Sequence, residues 1–200
     1  MKKVKIIAIE GAPRSGKSFL CQKLSEKYGC KYFLEGINDT FPKWIEESIK
    51  NNTHNLRRIA WFRNTQINNF LKALKLAETE TVLVDTFWAD NMIYYDLLLD
   101  GDDLDVAKEQ GQIDRKILPF PDKVVYLKNS EEQTKKFLVD GGREFDQGEV
   151  YDMHIKPLMK KYDELLDIVP KEVPLLVLDR TNLDFEKEED LKKVWEFINS

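Results

Sequence analysis

Gly11-Ala12-Pro13-Arg14-Ser15-Gly16-Lys17-Ser18 is the stretch that decides the fold. It fits the G-x-x-x-x-G-K-[ST] pattern of a phosphate-cradling loop. Gly11 and Gly16 permit backbone angles that a side chain forbids, so consecutive N–H groups can turn toward phosphate oxygens. Lys17 can reach the terminal phosphates, and the Ser18 hydroxyl can ligate Mg²⁺. All eight residues, Ala12, Pro13, Arg14 and Ser15 included, are candidates for nucleotide binding. The flanks agree. Val4-Lys5-Ile6-Ile7-Ala8-Ile9 is short, apolar and β-branched, as a buried parallel strand should be. Phe19-Leu20-Cys21-Gln22-Lys23-Leu24 carries apolar residues at helical spacing. A helix starting near Lys17 aims the positive end of its dipole at the same phosphates.

Composition sets the outer limits. The 200 residues fit one domain, or one domain with a lid, and 42% hydrophobic residues suffice for a sizeable core. A net charge of −5 argues against nucleic acid as the main partner. Cys21 and Cys30 suggest no disulfide framework, and His54 and His154 lack ligand-like neighbours. Met1-Lys2-Lys3 before an apolar run resembles a signal peptide, but that run is short, carries Lys5 and ends at Glu10, so a first strand fits better. No segment has the length and apolarity of a membrane span, which makes the cytoplasm the expected compartment.

Four further strands are predicted: Lys31 to Leu34, ending at Glu35; Thr81 to Val84, ending at Asp85; Lys123 to Leu127; and Leu175 to Leu178, ending at Asp179. Helical patterns separate them. Leu56, Ile59, Ala60, Arg63, Ile67, Phe70, Leu71 and Leu74 mark one long helix whose apolar face is interrupted at Arg63. Met92 to Leu99 reads as another, stopped by Asp100-Gly101-Asp102. Glu131 to Val139 reads as a third, and Tyr151 to Leu165 as a fourth with a kink at Pro157. Phe185, Leu191, Val194, Trp195 and Ile198 give an amphipathic C-terminal helix. Strands alternating with helices imply an α/β, three-layer αβα sandwich with a five-stranded parallel sheet, and a small helical lid at about residues 131–150. Ligands of such sheets lie beyond the carboxyl ends of the strands, so the loop, Glu35 and Asp85 share one rim.

Each rim residue has two readings. Asp85 is a second Mg²⁺ ligand beside Ser18, or a helix N-cap. Glu35 is a partner for a substrate hydroxyl, or a solvated strand end. Gly141-Gly142-Arg143-Glu144 is a hinge that swings Arg143 onto a phosphate, or a helix C-cap. Trp61, Phe62, Trp88 and Tyr94 can wall a pocket where a base stacks, or pack in the core.

These residues together resemble the thymidylate kinase and deoxynucleoside kinase group of P-loop phosphotransferases. The likeness rests on Ile9-Glu10-Gly11 with Ser15-Gly16-Lys17-Ser18, Phe33-Leu34-Glu35, Arg63 and Gln66, Asp85-Thr86-Phe87 with Tyr94, and Tyr126-Leu127 followed by Gly142-Arg143-Glu144. It spans roughly residues 4–180. Arg14 is similar to a P-loop arginine that one class of thymidylate kinases uses in transfer. The resemblance implies that Glu35 approaches a 5′-hydroxyl and that Arg63 and Gln66 contact a monophosphate and a base. Thr86 stands where both families carry an arginine, and Pro13 where that thymidylate kinase class carries an acid. The implied activity is ATP- and Mg²⁺-dependent phosphoryl transfer to a deoxynucleoside monophosphate, with Lys17, Arg14, Arg143, Asp85 and Glu35 as catalytic candidates. Trp88 and Tyr94 join Glu35, Arg63 and Gln66 as candidates for holding the acceptor. Two alternatives stay open: a deoxynucleoside kinase with Glu35 as base, and a nucleotide-binding switch without chemistry. A homodimer is implied by the resemblance alone.

Overall fold

Alternation along the first strand organises the layers. In β1 (Ile6–Gly11), Ile6 and Ala8 face one side of the sheet, Ile7 and Ile9 the other, and all four are buried. A strand apolar on both faces needs cover on both, which calls for a central strand of a parallel sheet. The computed structural model, which describes residues 5–36, 41–141 and 148–200, has that arrangement. Strands β2 (Lys31–Leu34), β3 (Val82–Asp85), β4 (Lys123–Lys128) and β5 (Leu175–Asp179) complete a parallel sheet of order β2-β3-β1-β4-β5. Ile9 pairs in register with Asp85 on one side and Val125 on the other, so the phosphate loop and Asp85 leave the sheet at the same edge.

Helices α1 (Lys17–Tyr28) and α8 (Glu188–Asn199) cover the face of Ile7 and Ile9, burying Leu20, Leu24, Val194 and Ile198 there. The opposite face carries α3 (Asn55–Leu76) and α7 (Lys156–Ile168), with Phe70, Trp88 and Tyr162 in its core. Helices α2 (Lys43–Asn51), α4 (Tyr95–Leu98), α5 (Gly101–Ile117) and α6 (Glu131–Gly141) complete the chain, and a π-helical turn at Tyr151–Ile155 runs into α7. Among the described residues no helix is long and apolar enough to cross a membrane.

The αβα sandwich and its five strands are as expected. Three local expectations change. Asp100-Gly101-Asp102 follows the end of α4 as expected but also starts helix α5: Asp102 and Asp103 lie in its first turn and Arg115 and Lys116 in its last, both favourable to the helix dipole. The residues from Asp90 to Tyr94 form a 3₁₀ segment before the single turn of α4, where one helix was expected. The disturbance expected at Pro157 falls just before it, as the π turn. A proline has no N–H to give the preceding turn, and the backbone widens there. Val4, Gly142, Arg143, Glu144 and the Leu165 side chain lie outside the described residues.

Candidate active site

The loop after β1 has the strain its pattern implies. Gly11 sits at φ +147, and a Cβ there would fall 2.5 Å from Ser15 Oγ and 2.6 Å from the Leu127 carbonyl. Arg14 holds φ 66, a left-handed value unusual for a side-chain-bearing residue and typical of positions where function fixes the backbone. Lys17 Nζ lies over the loop, donating to the Gly11 carbonyl at 2.8 Å and to that of Ala12 at 3.4 Å. Ser18 Oγ donates a short hydrogen bond to Asp85. The hydroxyl and carboxylate are therefore adjacent, as two groups sharing one divalent cation must be. Arg180 buttresses the loop from the α8 side. Its Nε donates to the Ser15 carbonyl at 3.2 Å and its guanidinium stacks 3.9 Å from the Phe185 ring centroid.

A cavity of about 660 Å³ opens from this loop. Lys17, Ser18, Glu35, Gln66 and Asp85 line it, as do Arg14 and Tyr94. At its centre Gln66 Nε2 donates to Glu35 Oε1 at 2.7 Å and Thr86 Oγ1 at 3.1 Å, and approaches Asp90 Oδ2 at 3.4 Å. Gln66 Oε1 accepts from Asn91 at 3.2 Å. The amide that sequence reasoning assigned to a base is thus held within the protein's own network.

Carboxyl groups crowd this end. Burial, then the Asp90 and Asp85 charges, push Glu35 up to about 8. Glu10 is fully buried, and burial plus the facing Asp90 raise it well above the usual carboxylic range. Burial raises the facing Asp90 carboxyl as well. Glu10 Oε1 accepts from the Phe87 amide at 2.8 Å, and Tyr162 Oη donates to Asp90 Oδ1 at 2.7 Å. Glu10 thereby fixes the backbone just beyond Asp85 and Thr86.

Two sequence expectations fail. Arg63 is paired with Asp114 of α5 through two bonds, Nε to Oδ2 at 2.5 Å and Nη2 to Oδ1 at 2.6 Å. It does not line the cavity; its interruption of the apolar face is answered by a buried carboxylate. Trp88 does not line it either. It is fully buried, with Nε1 donating to the Pro119 carbonyl at 2.9 Å and its ring 5.0 Å from that of Phe120. The chain turns inward after Asp85, so the first aromatics there join the core. Sequence reasoning also missed participants. Glu10 and Asp90 were the acids nearest the two motifs. Arg58, one turn before Phe62 and two before Gln66, lines the cavity at a spacing that could have marked it.

Helix α6 closes over the loop. Its Gly141 packs against Arg14 so tightly that a Cβ would come within 3.1 Å of the guanidinium carbon.

Comparison with known proteins agrees with this geometry. No curated protein matches the sequence. Among solved structures, deoxyadenosine kinase from M. mycoides with bound dATP has a TM-score of 0.78 at 22% identity, covering 98% of this chain and 100% of that one. The same enzyme with the products dCMP and a flexible dCDP gives 0.77 at 19% identity, covering 97% and 98%. With bound dCTP it gives 0.69 at 23%, with the same coverage. At such identities these matches establish the fold. The deoxynucleoside kinase family model matches residues 7–200, nearly the entire chain. With a phosphate loop, a strand-end glutamate and one shared cavity, this phosphotransferase belongs to the deoxynucleoside kinase family.

Proposed function

We propose that the chain transfers the γ-phosphoryl group of ATP to the 5′-hydroxyl of a deoxynucleoside. The observation that carries this is Glu35, hydrogen-bonded in the cavity that Lys17, Ser18 and Asp85 share, with an affinity for protons raised to about pH 8. A neutral hydroxyl must lose a proton to attack, and a base works best when its pKa is near the operating pH. A monophosphate acceptor brings two negative charges and needs cations. Here it would enter a space edged by Glu35, Asp85 and Asp90. The arginine expected to receive it, Arg63, is paired with Asp114.

Lys17 and the loop amides hold the β- and γ-phosphates. Ser18 and Asp85 fit Mg²⁺, which neutralises phosphate charge when bound. Among the described residues no three His, Cys, Asp or Glu side chains group as a metal cage, so Ser18 and Asp85 are the residues that would hold the ion. Arg14 stabilises the charge that develops during transfer. Arg143 is assigned to the same group from the sequence alone; the described part of α6 ends at Gly141, which rests on Arg14.

The test is a coupled assay on a panel of deoxynucleosides and their monophosphates. Turnover of a nucleoside is expected, with Glu35→Gln lowering kcat by about 10²–10⁴-fold. Turnover confined to monophosphates, or a Glu35→Gln variant at half activity or more, overturns the proposal.

A further inference from the structure

Beyond the carboxyl-rich centre, the cavity runs along α3 toward its N-terminus. Arg58, Phe62 and Gln66 are spaced four residues apart and all line it. At 1.5 Å per residue, Arg58 lies about 12 Å along the helix axis from Gln66, a separation suited to a molecule of nucleoside length. The walls there are apolar: Phe41, Ile49, Ile59, Leu98 and Met153. Two polar side chains stand among them, and neither is needed by the transfer chemistry.

Arg58 is 4% exposed. Its Nη1 donates to the Ser48 carbonyl at 2.9 Å, and among the described residues no carboxylate pairs with it. Burial lowers its pKa to about 10, which leaves it cationic at neutral pH. His154, on the π turn, is 9% exposed, and its Nε2 has no hydrogen-bond partner. The ring's hydrogen bond is to the Ile49 carbonyl, which places the proton on Nδ1 and leaves Nε2 a bare acceptor. Burial and the Arg58 charge hold the imidazole neutral. A buried guanidinium with free donors beside a buried, unpartnered acceptor is costly unless a ligand satisfies both.

We infer that Arg58 and His154 form a two-point anchor for the end of the acceptor remote from its 5′-hydroxyl. The anchor takes an oxygen that accepts from Arg58 beside a hydrogen that Nε2 accepts. The part of a nucleoside that presents that pair at its remote end is the lactam edge of a 6-oxopurine or 4-oxopyrimidine base, a carbonyl next to a ring N–H. The amino edge of adenine or cytosine presents the opposite order, a donor where Arg58 also donates. The inference rests on the nucleoside reading of the cavity and deepens it.

The experiment is steady-state kinetics of the wild type, Arg58→Met and His154→Leu on thymidine, deoxyguanosine, deoxycytidine, deoxyadenosine and the 2′,3′-dideoxy analogue of the best of them. Loss of a hydrogen bond to a charged group is worth about 10–100-fold. Arg58→Met should raise KM on that scale, and His154→Leu less, with kcat within about threefold of wild type. The loss must vanish on the acceptor lacking the oxygen. If the base edge is the ligand, oxo bases bind better and lose selectivity in both variants, while the dideoxy analogue behaves like its parent. A dideoxy analogue that is a poor substrate of the wild type and indifferent to both substitutions would put the contact on the sugar, near the 5′-hydroxyl, and overturn the anchor. Unchanged KM in both variants, or an equal loss on every acceptor, overturns the anchor. Thermal midpoints control for both variants, since Arg58→Met gives up the Ser48 carbonyl and His154→Leu the Ile49 carbonyl; each keeps the test open if the other does not fold. If the wild type turns over no nucleoside, the kinase reading fails by itself. Calorimetric binding of thymidine and deoxyguanosine to the three proteins then still decides the anchor, and equal binding by all three, or none, overturns it.

Discussion

The two ends of the cavity are opposites in charge and in bonding. At the phosphate-loop end Glu10, Glu35, Asp85 and Asp90 surround Lys17, and Glu35, Asp90, Asn91 and Tyr162 are tied together by hydrogen bonds through Gln66 and Asp90. At the far end Arg58 and His154 stand apart in an apolar lining with bonding capacity unused. A closed network fixes geometry before substrate arrives, which chemistry requires. An open pair waits for a ligand, which selectivity requires. Substitutions at the first end should therefore act on kcat, and those at the second on KM.

The largest effect expected is at Lys17. Lys17→Ala removes the lysine that, among the described residues, lies amid the carboxyl groups of the loop end and should lower transfer by about 10³-fold or more, with weakened ATP binding. Near-wild-type turnover in that variant would remove the phosphate loop from the mechanism.

Next is the pH profile, which isolates Glu35 from its neighbours. The carboxyl must be ionised to act as base, and burial raises it to about 8. The kcat/KM of the wild type on its best nucleoside should rise with pH and level off above about 8, and the limb should be absent in Glu35→Gln. Stability moves the other way. The folded state keeps a proton on Glu35 that the unfolded chain releases near 4.5. The wild type should therefore lose stability relative to Glu35→Gln as pH rises from about 4.5 to about 8, and not beyond. A flat rate profile across this range contradicts the assignment of the base.

How much of this was legible in the sequence depends on how far apart the partners lie. The phosphate loop reads directly, because strand, turn and helix are contiguous and each fixed residue answers a local constraint. Glu35 and Asp85 read almost as well, since a carboxylate closing an apolar strand must emerge on the rim. Helix α5 was missed because Asp100-Gly101-Asp102 was read only as a stop, although Asp100 ahead of Asp102 and Asp103 in the first turn also reads as a start. Trp88 was misplaced because an aromatic after a strand end can turn either way. Here the Glu10 carboxyl, 77 positions away in sequence, holds Phe87 and sets the turn. Spacing along α3 could have marked Arg58, but not its surroundings, because α2, α3 and the π turn meet around it.

A gentler perturbation tests whether the loop end is as rigid as its bonding implies. In Gly141→Ala the new methyl would stand about 3.1 Å from the Arg14 guanidinium carbon. The guanidinium is the tip of a long side chain and can shift by a few tenths of an ångström. The expected loss in kcat is about fivefold, well short of the hundredfold that a 1 Å misplacement can cause. With Arg14→Lys already in place, adding Gly141→Ala should have no further effect, since a slimmer ammonium leaves room for the methyl. A Gly141→Ala loss that persists there would place its origin in α6 itself.

The smallest catalytic effect is expected at Arg63, and its contrast with Arg58 is what makes it informative. The two arginines lie on one helix, five residues apart. Arg58 lines the cavity; Arg63 points to α5, where Asp114 is 1% exposed at its side chain. Removing Arg63 leaves that carboxylate buried without its two bonds. The cost to stability should be about 2–3 kcal/mol, below the 3–5 kcal/mol of a fully buried pair because a fifth of the Arg63 side chain is in solvent. Acceptor KM and kcat should stay within about twofold of wild type at a temperature where the variant is folded, a margin chosen well inside the tenfold that 1.4 kcal/mol of lost contact produces. Arg63→Ala with Asp114→Ala should recover part of the stability, because the double variant no longer strands a charge. If Arg63→Ala instead raises acceptor KM as strongly as Arg58→Met does, the direction each arginine faces is not what separates their roles. The division of the helix into a cavity side and a packing side then fails with it.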